Sequence, residues 1–93
     1  MSDRITNKQL EYLVERINAL TGSPKTSWTR NEDGSLKANV GNYHLSGAYG
    51  GVCLHRHVNE GGGVTTPLVE GHVPKRDLYV RLRAFVQGLE QRA

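Results

Sequence analysis

Between Ala38 and Val58 the chain reads ANVGNYHLSGAYGGVCLHRHV, and apolar residues alternate with polar ones through most of it. Leu36, Ala38 and Val40 form one apolar set, Tyr43 and Leu45 a second, and Val52, Leu54 and Val58 a third. The parity resets at Gly41-Asn42 and again within Gly47 to Gly51. A period of two broken by glycine-rich resets is the pattern of antiparallel strands. On the last of these strands Cys53, His55 and His57 fall opposite Val52 and Leu54, so one sheet face is expected to be apolar and the other polar and rich in histidine. Arg56 interrupts the apolar face and belongs at a sheet rim or beside an acid, because an unpaired buried guanidinium is costly. Gly41-Asn42 suits either a two-residue hairpin turn or a bulge in one longer strand, and parity alone does not decide between them.

Helical patterns flank this stretch. Thr6 and Gln9 stand at capping-box spacing, with Ile5 and Leu10 placed as a hydrophobic staple. Leu10, Leu13, Val14, Ile17 and Leu20 then share one face of a helix of about four turns, which Gly22 and Pro24 end. Tyr12 lies off that stripe, as a core-edge residue or, in the sharper reading, a tyrosine that stacks on a ligand. Lys25 to Arg30 is a short β-prone run, and the Asp33-Gly34 pair after it marks a turn into Leu36. Trp28 is expected to anchor the core or a sheet edge, with stacking on a nucleic-acid base as the alternative reading. Asn59 to Val73 reads as a long loop. Pro74 opens a second helix, with Leu78, Leu82, Phe85 and Leu89 on its stripe. The expected fold is therefore a single α+β domain over residues 1–93 in the order helix, strands, helix. Its three- or four-stranded antiparallel sheet would carry both amphipathic helices on the face of Leu36, Val40, Leu45 and Leu54.

Composition bounds the function. A chain of 93 residues buries roughly 60–65% of its unfolded surface, enough for one core with little surplus, and a homodimer would add to it. Hydrophobic content of 37% and charged content of 23% are those of a folded globule rather than a disordered chain. No apolar run approaches the ~20 residues that span a bilayer, and no signal-peptide core precedes the first helix. The lone Cys53 excludes an intrachain disulfide framework and suits a reducing, cytoplasmic setting. The net charge of +3 indicates a nucleic-acid partner only if the basic residues cluster.

Catalytic chemistry finds little footing. Cys53, His55 and His57 could line one strand face as metal ligands, but no CxxC or HExxH spacing accompanies them, so no metal or other cofactor is expected. A strand-borne cysteine two residues from a histidine is not a nucleophile arrangement, and nothing brings the loop carboxylates Glu60 and Glu70 together. No enzyme activity and no catalytic residue are expected. Phosphate binding has more support. Gly61, Gly62 and Gly63 allow close backbone approach, His72, Lys75 and Arg76 gather at the start of the second helix, and Arg83 projects with Arg76 from its polar side. The absence of a GxxxxGK[ST] run excludes a nucleotide-hydrolysing P-loop and leaves simple anion binding.

The blocks GNYHLSGAYGGVCLHRHVN and GHVPKRDLY, with the preceding INALTGSP, resemble a group of small tailed-phage and prophage proteins over nearly the whole chain. That family carries no established activity, so the resemblance implies an accessory phage protein in the host bacterial cytoplasm and transfers no site residue. The element order is also similar to that of a double-stranded-RNA-binding domain, whose second helix grips phosphates through a basic start, as Lys75 and Arg76 could. Asn31 to Ser35 stands where that domain has a Gly-Pro-His loop. The expected function is a non-enzymatic phage accessory protein that binds nucleic acid or, second, a small nucleotide. The alternative is a protein-interaction module that modulates a host protein or takes part in phage assembly.

Overall fold

A computed structural model of the protein describes residues 4–48, 50–69 and 71–92. Helix α1 (Asn7–Thr21) begins at the predicted capping box. The Gln9 N–H donates to Thr6 Oγ1 at 3.2 Å, and the Thr6 N–H donates to Gln9 Oε1 at 2.8 Å. Gly22, at φ 71°, closes the helix in the left-handed conformation that glycine adopts without a steric penalty. Helix α2 (Lys75–Arg92) follows Pro74 and continues through Gly88.

Five strands lie between the helices. β1 (Trp28–Arg30) and β2 (Leu36–Ala38) pair antiparallel around the Asn31–Ser35 turn, where Asp33 Oδ1 accepts the Ser35 N–H at 2.9 Å. β3 (Tyr43–Ala48), β4 (Gly51–His57) and β5 (Val64–Thr65) form a separate antiparallel sheet in that order. The architecture is thus α+β in the order helix, strands, helix, with the strands divided between a two-stranded and a three-stranded sheet.

Gly41-Asn42 is the corner between the two sheets and has the two-against-one pairing of a bulge: the Gly41 N–H donates to His57 O at 2.9 Å, and the His57 N–H donates to Asn42 O at 3.0 Å. The Asn42 N–H donates to Asn39 O at 3.1 Å, and Gly41 sits at φ 94°, a conformation that side-chain-bearing residues rarely adopt. This corner explains where Leu36 and Val40 go. Expected on the helix-facing side, they are instead 54% and 49% exposed. Alternation reports which side of a strand a residue occupies. It does not report that the strand has left the plane of the main sheet.

Both helices pack on one face of the three-stranded sheet, α1 over β3 and α2 over β4. Their stripes close the core: Leu10, Leu13, Val14 and Ile17 from α1 and Leu78, Leu82 and Val86 from α2 meet Val52 and Leu54, with Tyr43 and Leu45 at the margin. The helices run in the same direction. Asn7 and Lys75, at their starts, share a cleft beside the β3–β4 turn, and Arg16 and Glu90 join them at 2.8 Å further along. Arg56 lies exposed at the rim, its guanidinium 5.7 Å over the Tyr43 ring. Exposure at the rim, which the pattern allowed for, thus accommodates the charge on the apolar face.

The second sheet face is less open than its polar pattern predicts. Trp28 from the β1–β2 hairpin meets the His57 ring edge-on at 5.1 Å. At the other end Cys53 Sγ lies 4.0 Å from Val69 O, and Val73 pairs with Val52. Cys53 and His57 are buried as a result.

Candidate functional site

The residues predicted to bind an anion fall in three places. Gly63 O accepts the Val58 N–H at 2.9 Å, which fixes the glycine run beside the end of β4. His72 leads into Val73, which pairs with Val52 at the opposite end of that strand. Val52 and Val58 are six residue steps apart, about 20 Å of extended chain. The glycines also have structural work to do. Asn59 Oδ1 accepts the N–H groups of Gly61 and Gly63 at 3.0 and 2.9 Å, and a Cβ on Gly62 would come within 2.9 Å of the Trp28 ring. Gly61, Gly62 and Gly63 therefore wrap Asn59 and admit Trp28, and they do not join the start of α2 in an anion cradle.

His72 Nε2 lies 3.2 Å from Ser46 Oγ, on the sheet face away from the helices. Lys75 lines the cleft with Asn7, Gly50 and Gly51 beside the β3–β4 turn. Arg76 and Arg83 are seven residues apart on α2, two turns along one face of it. Of the predicted set, Arg83 alone lines the groove between the helices.

That groove, of about 510 Å³, lies within the ~300–1,000 Å³ typical of ligand clefts. Buried Leu13 and Val86 floor it. Lys8, Tyr12 and Arg16 form one wall, and Tyr79, Arg83 and Glu90 stand on the other. The α1 wall follows from sequence spacing: residues four apart rise above one another on a helix, so Lys8, Tyr12 and Arg16 stack as cation, ring, cation. Glu11 and Glu15 line a different cleft beside Tyr43 and Leu45, and Glu15 also shares a cleft with Tyr12 and Arg16 on the outer side of α1. Across the groove the Arg83 guanidinium sits 5.8 Å over the Tyr79 ring. Arg16 is held by Glu90, the one carboxylate of the lining among the described residues, and this pairing raises the Arg16 pKa above its ordinary value.

Lys8, Tyr12, Arg16 and Tyr79 are absent from the predicted site. The signal was present in the i, i+4 spacing of α1, but only the packing of the helices shows which polar flank faces a groove. Tyr12, weighed as a stacking residue, is 62% exposed and stands in this wall.

The four histidines form a second constellation on the opposite side of the sheet. The ring centroids of His57 and His44 are 4.5 Å apart, those of His44 and His55 5.6 Å, and those of His55 and His72 6.4 Å. Burial, then neighbouring imidazoles, hold His44 and His55 below the ordinary histidine pKa. His57 is 2% exposed, and its Nδ1 has no hydrogen-bond partner among the described residues. Among the described residues no three His, Cys, Asp or Glu side chains are placed to hold a metal ion. Burial pushes the Cys53 thiol up, away from the thiolate form that a nucleophile needs. Glu60 is exposed, and Glu70 lies outside the described residues.

Comparisons with protein-family models, curated proteins and solved structures find no match. Among the described residues no helix is long and apolar enough to cross a membrane.

Proposed function

We propose that this protein binds a phosphate-bearing partner, nucleic acid before free nucleotide, without catalysing a reaction, in the groove between α1 and α2. The carrying observation is the interleaving of Lys8, Arg16 and Arg83 with Tyr12 and Tyr79 in that one groove. Cations supply the sequence-independent attraction to phosphate, and aromatic rings supply surfaces for bases. A polymer is favoured over a mononucleotide because Lys8 and Arg16 stand eight residues apart, about 12 Å along the helix, a span that meets more than one phosphate of a chain. The reading keeps the phosphate chemistry expected from the sequence and moves it away from the glycine loop. The resemblance to tailed-phage proteins supports an accessory role, and the single cysteine suits the reducing bacterial cytoplasm as its setting.

Titration of a fluorescein-labelled oligonucleotide at several salt concentrations, followed by anisotropy, tests the reading. Three phosphate contacts on a single strand predict a slope of about −2 in log K against log salt. Absence of binding even at low salt, or an affinity indifferent to salt, rejects the proposal.

A further inference from the structure

We infer that the partner is single-stranded nucleic acid, held by stacking of its bases on Tyr12 and Tyr79 while Lys8, Arg16 and Arg83 follow its phosphates; this rests on the groove being the binding site. Packed helices lie about 8–10 Å apart, so the depression between them is narrow. A duplex can rest across the two helices, but it presents only its backbone and base edges to them. Its base faces are also occupied by one another and cannot meet a tyrosine ring. An unpaired base is a flat ring that fits the depression and offers a π-face to stack on.

The placement of the rings fits this ligand. Tyr12 leaves most of its surface to solvent in the wall of the groove. It stands one helical turn from each neighbouring cation of its wall, so a base on the ring has Lys8 on one side and Arg16 on the other. Tyr79 is half-buried against the core with the Arg83 guanidinium 5.8 Å over its ring, a fixed ring paired with a cation where Tyr12 is an exposed one. Aromatic stacking accepts every base. Binding is therefore tolerant of sequence, with differences that follow stacking strength.

Arg16 adds a condition. Its guanidinium is paired with Glu90 at 2.8 Å, so a phosphate at this position competes with that carboxylate.

The test compares oligo(dT) with a blunt duplex of equal length, for the full chain and for Tyr12→Ala and Tyr12→Phe. The expected results are at least tenfold tighter binding of the single strand, a 5- to 150-fold loss for Tyr12→Ala on that strand, about the range of one lost base stack, and retention in Tyr12→Phe, which keeps the ring. Tyr12 is exposed, so Tyr12→Ala should melt with the parent, and Tyr79→Phe gives a second ring-preserving control. Equal or tighter binding of duplex, or undiminished binding by Tyr12→Ala, overturns the inference while leaving salt-dependent binding in the groove intact. Failure of both nucleic acids to bind at low salt removes the inference together with the function on which it rests.

Discussion

Lys8→Glu combined with Arg83→Glu is expected to weaken oligonucleotide binding by about 100-fold or more at low salt, while the melting temperature stays near that of the parent. Each reversal removes an attraction to phosphate and replaces it with a repulsion, and like-charge juxtaposition at an interface costs up to several kcal/mol. Both side chains are exposed on helical surfaces, where substitutions usually change stability by about 0.5 kcal/mol or less. Lys8 and Arg83 are preferable to Arg16, whose reversal would also set two carboxylates against each other at Glu90. The same reversal at Lys75, in the cleft beside the β3–β4 turn, should cost less than tenfold because it acts only through the long-range field. Anisotropy titrations with matched melting curves measure both quantities. An equal loss from Lys75→Glu would move the site to the start of α2.

Mild acidification is the second large perturbation, and it acts on stability through the histidine array. Burial first, and neighbouring imidazoles second, lower the His44 and His55 pKa values in the fold. The unfolded chain therefore takes up protons more readily than the folded one, and stability rises with pH wherever these groups titrate. Their contribution is fully present above the unfolded value of about 6.5 and is lost as pH falls through the lower folded values. Melting temperature should be flat from about pH 8 to 7 and fall between about pH 6.5 and 5, above the usual carboxylate range. Each kcal/mol lost lowers it by about 4–8 °C in a domain of this size. His44→Gln with His55→Gln should flatten that profile. A melting temperature that holds steady or rises on acidification contradicts the assignment.

Much of the fold was legible because it rests on local chemistry. The Thr6/Gln9 capping box, the Gly22 stop, the Asp33-Gly34 turn and both helical stripes are interactions among residues a few positions apart, and sequence displays them directly. The division into two sheets was not legible. It turns on the path taken at Asn39–Asn42, and the alternation of Leu36, Ala38 and Val40 with Tyr43 and Leu45 is the same whether the chain stays in plane or leaves it. The candidate site shows the same boundary. Arg83 could be found from one helix alone, but the groove needs two, and the partnership of Lys8, Tyr12 and Arg16 with Tyr79 and Arg83 is a tertiary fact. The glycine run misled for a related reason. Glycine signals close approach of something to the backbone, and here that something is Asn59 and Trp28.

The most direct test of the proposed site is an amide NMR titration of the labelled protein with a short unpaired oligonucleotide. Binding in the groove predicts shifts concentrated at Lys8, Gln9, Tyr12, Arg16, Tyr79, Arg83 and Gln87, with Gly61 to Gly63 and the histidine-bearing strands largely unmoved. Shifts centred on Gly61 to Gly63 or on His72 and Lys75, with the groove silent, would contradict it.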